Sequence, residues 1–205
     1  MSNNDNKLIG YLFNPFRYLS GVQCLVAGLV LLAVCAVHGG LAGVRYDGLL
    51  RINMAQTSML AEAIKLLLIS GLMIALLWLA ARALGAKDFR LQTLAGTQLL
   101  ARWPYLLMSL LLVHIPGYLA LMQKLMNMKP IDAATTLQGG DVMLLTLSGI
   151  WVLLMTIWCI ALMYSSFSMS CKVQGGKAIA AFAVALLLDL LLAGPLLMAG
   201  LLRVL

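Results

Sequence analysis

Long runs of leucine, isoleucine, valine and alanine, separated by short polar intervals, dominate the chain; Leu66-Leu67-Leu68-Ile69 and Leu186-Leu187-Leu188 are continuous, with no alternation of apolar and polar positions. Strands of a transmembrane barrel alternate, so this pattern points to helices. A helix needs about 20 mainly apolar residues to cross a hydrocarbon core about 30 Å thick. Five stretches reach that length, at residues 19–39, 60–81, 103–123, 142–164 and 178–202. Lipid offers the backbone no hydrogen bonds, so each spanning segment must satisfy its own as a helix. The expectation is an all-α fold, an integral membrane bundle of five transmembrane helices forming one domain over 19–205, preceded by a short cytoplasmic segment over 1–18. The longest connections fall at 40–59, 84–102 and 124–141. In the middle one, Lys87-Asp88-Phe89-Arg90-Leu91-Gln92-Thr93-Leu94 predicts a short amphipathic helix lying on the membrane surface.

Composition agrees. Of 205 residues, 63% are hydrophobic and 10% charged, and the mean hydropathy is +1.00, which excludes both a water-soluble domain and a disordered chain. The net charge of +7 comes from basic residues scattered at span ends, with no run of them. That arrangement suits anionic lipid headgroups and argues against nucleic acid. The partners it admits are the lipid bilayer, a membrane protein, or a second copy of the chain. Leu32-Ala33-Val34-Cys35 loosely resembles a lipoprotein cleavage box, but the apolar stretch around it is longer than a signal core and Val34 is not small. It is read as a span.

Chemistry is sparse. The sequence has no His-Glu-x-x-His, Gly-x-Ser-x-Gly, phosphate-binding Gly-x-x-x-x-Gly-Lys or Gly-x-Gly-x-x-Gly. Cys24, Cys35, Cys159 and Cys171 are far apart, and the two histidines lie in different spans. The expectation is therefore no enzyme, no metal site and no cofactor, with the cysteines acting as small apolar side chains. Two ionisable residues fall near the centres of their predicted spans, His114 in the third and Asp189 in the fifth. A carboxylate at mid-membrane costs at least ~2.5–3.5 kcal/mol and so faces the bundle interior. Ala178, Ala181, Ala185, Asp189, Ala193 and Gly200 trace one face of small residues, the expected packing face. Asp189 then serves either as a proton or cation site with His114 as partner, or as a protonated structural donor to a neighbouring helix.

Pro116 and Pro195 each remove a backbone donor and predict kinks. Trp78 and the group Arg102, Trp103 and Tyr105 sit at a predicted span boundary and read as interfacial anchors, with Pro104 in a first helical turn. Trp151 and Trp158 share a face of the fourth span, and Lys65 can pair locally with Glu62.

Asn14-Pro15-Phe16-Arg17, the segment from Phe89-Arg90-Leu91-Gln92-Thr93-Leu94 to Ala101-Arg102-Trp103-Pro104-Tyr105-Leu106-Leu107, and Tyr164-Ser165-Ser166-Phe167 leading through Gly175-Gly176-Lys177-Ala178 to Asp189 together resemble the Yip1 domain family. The resemblance covers nearly the whole chain. It implies a five-span membrane protein without catalytic activity, whose eukaryotic relatives take part in vesicle traffic with small GTPases. The long amino-terminal extension of those relatives is missing, which points away from GTPase binding and towards a bacterial inner (cytoplasmic) membrane. The function expected is organisation of membrane or protein partners through helix faces and cytoplasmic loops; the alternative is a small proton- or ion-coupled transporter using Asp189 and His114.

Orientation follows from lysine and arginine. Lys7, Arg17, Arg82, Lys87, Arg90, Arg102, Lys172 and Lys177 lie on the amino-terminal side, against Arg45, Arg51, Lys65, Lys124, Lys129 and Arg203 opposite. The excess places the amino terminus in the cytoplasm and the carboxyl terminus outside. Reporter fusions at the two termini should therefore give opposite answers, and two ends reporting one compartment would overturn the five-span count.

Overall fold

The computed structural model describes residues 10, 14–47, 52–54, 57–127 and 138–198. The sequence expectations resting on Asp5, Lys7, Arg51, Lys129, Asp132, Gly200 and Arg203 lie outside the described residues. A single 3₁₀ turn, Pro15–Arg17, precedes α1 at Gly21–Ala42. Strands β1, Val44–Tyr46, and β2, Ile52–Met54, pair as a small antiparallel hairpin with Arg45 opposite Asn53. Then come α2 at Met59–Ala83, α3 at Leu91–Leu100, α4 at Trp103–His114, α5 at Tyr118–Asn127, α6 at Gly139–Cys171 and α7 at Gly176–Met198. The fold is an all-α membrane bundle, with the hairpin as a minor addition.

Local signals set the ends. Ser20 Oγ accepts from Gln23 N, while Gln23 Oε1 accepts from Ser20 N at 2.9 Å, a reciprocal cap that starts α1. Gly43 ends it at φ +65°, a left-handed conformation natural to glycine. Ser58 caps α2 by a single bond, its Oγ accepting from Ala61 N.

Helices α1, α2, α6 and residues Gly176–Gly194 of α7 are each long and apolar enough to cross a membrane. The fifth candidate differs from the sequence expectation: it is a bent pair, Leu91–His114 with Tyr118–Leu125, that reaches the length and hydropathy of a span only when the two are taken together. It begins at Leu91, not at Trp103. The run Leu91–His114 passes through a tight turn at Ala101 and Arg102, with Ala101 N donating to Thr97 O and Tyr105 N to Arg102 O, and covers about 36 Å at 1.5 Å per residue. Of the segment expected to form a short amphipathic helix, Lys87–Arg90 is a loop and only Leu91–Leu94 is helical, as the first turn of α3. Leu94, Gly96, Thr97, Gln98 and Leu99 are buried.

Pro116 does more than kink the chain. Ile115 before it is extended, Gly117 after it takes φ +79°, and Tyr118–Leu125 leaves the run at 89°. Helix α7, in contrast, continues through Pro195 to Met198.

Neighbour pairs run the length of α1 and the third crossing. Gly21 meets Thr93, Gly28 meets Leu99, and Tyr46 just beyond α1 hydrogen-bonds Ser109. The two therefore run parallel from the amino-terminal face to the hairpin face. Helix α6 runs antiparallel to this crossing, with Ser170 and Ser166 at Thr97, Met163 at Gln98, Cys159 at Ala101, and Trp158 edge-on to Trp103 at 4.7 Å. Helix α7 packs chiefly on α2, burying Ala178, Phe182, Ala185, Asp189 and Ala193. Of the expected small-residue face, Ala178, Ala185, Asp189 and Ala193 are buried and Ala181 is half-buried.

Helices α1 and α3 touch backbone to backbone. A Cβ on Gly96 would lie 2.5 Å from Leu25 N and 2.8 Å from Leu25 Cα, with no flexible side chain to give way. Gly96→Val should therefore force the pair apart, at a cost of about 1–3 kcal/mol or more in detergent-solubilised thermal melts. Gly149→Ala, where a Cβ meets nothing within 4 Å, serves as the control that keeps or raises stability. Equal melting temperatures for the two variants would refute the close approach.

Candidate functional site

Polar side chains inside the bundle gather at three depths. At the hairpin end, Glu62 and Lys65 of α2 are 0% and 3% exposed and pair at 2.7 Å. Lys65 Nζ also meets Asp47 Oδ1 at 3.0 Å, and Arg45 joins Asp47 at 3.4 Å. The other Glu62 oxygen accepts from Tyr46 N at 2.7 Å, so one carboxylate ties the start of α2 to the hairpin. Charges this deep persist only when paired and hydrogen-bonded. The local Glu62–Lys65 pairing expected from the sequence is present, and Asp47 and Tyr46 complete it.

Tyr46 is the hub of this end. Its hydroxyl lies 2.7 Å from Ser109 Oγ and 3.2 Å from His38 Nδ1. Ser109 Oγ donates to Leu106 O, so the Tyr46 hydroxyl donates to Ser109 and the His38 Nδ1–H donates to Tyr46. Burial pushes the Tyr46 phenol above its ordinary range, and the nearby Cys35 thiol adds to that, so it stays protonated. Tyr105 stacks at a tilt on Tyr46, ring centroids 5.5 Å apart.

The second depth is the middle of the bundle. Arg102, halfway along the run Leu91–His114, donates from Nη1 to Ser70 Oγ of α2 at 2.6 Å. Asp189, at the middle of α7, is fully buried. The charge acting on it is that of Arg102, and among the described residues neither carboxylate oxygen has a hydrogen-bond partner.

The structure does not bring His114 to Asp189. His114 stands at the end of α4, exposed, with Nδ1 2.7 Å from Leu110 O. The physical reason is the shifted crossing: starting the helix at Leu91 moves its centre from Val113 to Arg102. The same shift corrects the anchors. Tyr105 is buried, Arg102 bonds Ser70, and Trp103 packs on Trp158, so these three are interior residues. Trp78 fits a boundary, with Arg82 over its ring at 5.5 Å and at the same distance over Phe89.

A third polar group holds α3 to α6. Ser166 Oγ donates to Thr97 Oγ1 at 2.8 Å, Ser170 Oγ lies at 2.8 Å from the same atom, and Gln98 Nε2 donates to Met163 O at 2.9 Å. All four cysteines are free and buried. No cluster of three or more metal-ligating side chains occurs among the described residues. No protein-family model, curated protein sequence or solved structure matches the chain.

Arg102 and Asp189 come from different helices and oppose each other in a low-dielectric interior. Arg102→Leu or Asp189→Leu alone should each cost more than its share of the double variant, because either strands a charge at mid-depth. A double-mutant cycle by chemical denaturation in detergent should read about 0.5–3 kcal/mol of coupling. Strictly additive losses would show that the two side chains do not sense each other.

Proposed function

We propose that this chain is a non-enzymatic multi-pass membrane protein of Yip1 type, which organises membrane or protein partners through its helix faces and connecting loops. The setting proposed is a bacterial inner membrane, with the amino terminus cytoplasmic and the carboxyl terminus outside. The observation carrying this reading is the closely packed centre. Among the described residues, the space between α1, α2 and the run Leu91–His114 is a cavity of about 20 Å³, room for about one water. The outward surfaces, in contrast, are broad and apolar. Met143, Leu147, Ile150, Leu154 and Ile157 form one exposed stripe on α6, at the spacing of a single helix face.

A second reading, proton- or ion-coupled transport, is favoured by the buried carboxylate of Asp189 without a hydrogen-bond partner among the described residues. In that reading Arg102 takes the place expected of His114.

Two measurements separate these readings. In proteoliposomes holding a pH-sensitive dye, the organising role predicts proton and sodium leak no faster than in protein-free vesicles. A flux above background that Asp189→Asn abolishes, with the fold intact by circular dichroism, would establish transport instead. In native membranes, photocrosslinkers at Leu147 and Leu154 should give a discrete protein adduct absent from equally exposed Leu187. Lipid adducts alone at all three positions would overturn the organising role.

A further inference from the structure

The mid-depth cavity has a chemistry that its size alone does not convey. It is lined by Leu31, Leu32 and Cys35 of α1, Leu66 and Ser70 of α2, and Leu99, Arg102 and Tyr105 of the third crossing. Most of the lined surface is apolar, but the few polar groups on it are incompletely satisfied. Arg102 Nε and the Tyr105 hydroxyl are buried atoms without a hydrogen-bond partner, and Tyr105 is 4% exposed. Ser70 Oγ accepts from Arg102 Nη1, and Cys35 stands on the adjoining wall.

A buried donor left without a partner costs about 1–3 kcal/mol, more when charged. A cavity needs roughly 10–15 Å³ in this measure, and two to four polar partners, to hold a water. The space of about 20 Å³ satisfies the first condition. Arg102 Nε–H as donor and the Tyr105 hydroxyl as donor or acceptor satisfy the second, with Ser70 and Cys35 on the same walls.

We propose that this cavity is an internal binding site for one water molecule, which accepts from Arg102 Nε–H, bonds the Tyr105 hydroxyl, and so holds the guanidinium in place against Ser70. A neutral occupant fits better than a small anion. A small anion would lose its hydration against a mostly apolar lining. An apolar occupant would leave both polar atoms stranded. The site lies between α1, α2 and the third crossing, so it fixes the orientation of a side chain that bonds across to α2.

X-ray hydroxyl-radical footprinting tests this, because radiolysis of a bound internal water labels the side chains touching it. Pulses on the detergent-solubilised protein should modify Tyr105 and Cys35 well above Met73 and Met163, equally buried residues away from the cavity. Tyr105→Phe should bring Cys35 labelling down to the level of those methionines. Cys35→Leu fills the cavity. With a water displaced and two polar atoms stranded, it should abolish Tyr105 labelling and lower the melting temperature by several degrees. Wild-type labelling of Tyr105 and Cys35 no greater than that of Met73 and Met163 would overturn the proposal. So would a melting temperature raised by Cys35→Leu, the signature of filling a dry void. A melting temperature rising with fluoride at constant ionic strength would assign the site to an anion and overturn the neutral occupant.

Discussion

The contact of α1 with α3 at Gly96 governs the rest of the bundle. A residue without a side chain lets the backbone of α3 rest on the backbone at Leu25, close enough for dispersion contacts along both helices to replace the hydrophobic drive that lipid cannot provide. Once α3 is seated there, Leu94 and residues 96–99 belong to the interior and the helical run is committed to start at Leu91. Everything downstream then has its depth assigned. Thr97 and Gln98 face the hydroxyls and carbonyls of α6, Arg102 arrives at the centre beside Ser70, and Ser109 arrives at the hairpin end under Tyr46.

The two charged groups solve the same problem differently. At the hairpin end, four ionised side chains lie within one cluster and share contacts of 2.7 to 3.4 Å, so the desolvation of each is offset by direct partners. At the centre the opposite charges come from separate helices, and the guanidinium leans on a serine hydroxyl instead of a carboxylate. The first arrangement joins elements adjacent in sequence, the end of α1, the hairpin and the start of α2. The second holds helices far apart in sequence, α2, the third crossing and α7. Short-range closure and long-range closure are thus separated by depth.

Much of this was legible in the sequence. Four apolar runs became spanning helices near their expected places, because a run of about 20 apolar residues has few alternatives in lipid. The small-residue face of the last helix and the inward placement of Asp189 followed from helical spacing alone. The third crossing was misplaced for a specific reason. Gln92, Thr93, Thr97, Gln98 and Arg102 make residues 91–102 too polar to resemble a span, yet each of Thr97, Gln98 and Arg102 finds a partner on another helix. Hydropathy counts a polar side chain as a cost without knowing that a tertiary bond will satisfy it. The readable signal was the glycine pattern, Gly21 and Gly28 on one helix and Gly96 on the other. His114 was assigned to the centre only through that displaced boundary. The cluster around Lys65 depended on Asp47, whose approach is made by a hairpin that no apolar pattern announces.

The length of α6 has a mechanical consequence. Its 33 residues extend about 50 Å at 1.5 Å per residue, against about 30 Å of hydrocarbon. Such a helix fits only by leaning or by projecting into the headgroups, and it is bonded near both ends, to Lys124 through Asp141 and to Thr97 through Ser166 and Ser170. A long strut fixed at its ends converts thickness into angle. Thinning the bilayer presses α6 flatter and shears its lower contacts against α3, whereas thickening draws it upright, so the lipid composition around the protein acts directly on the joint between these two helices.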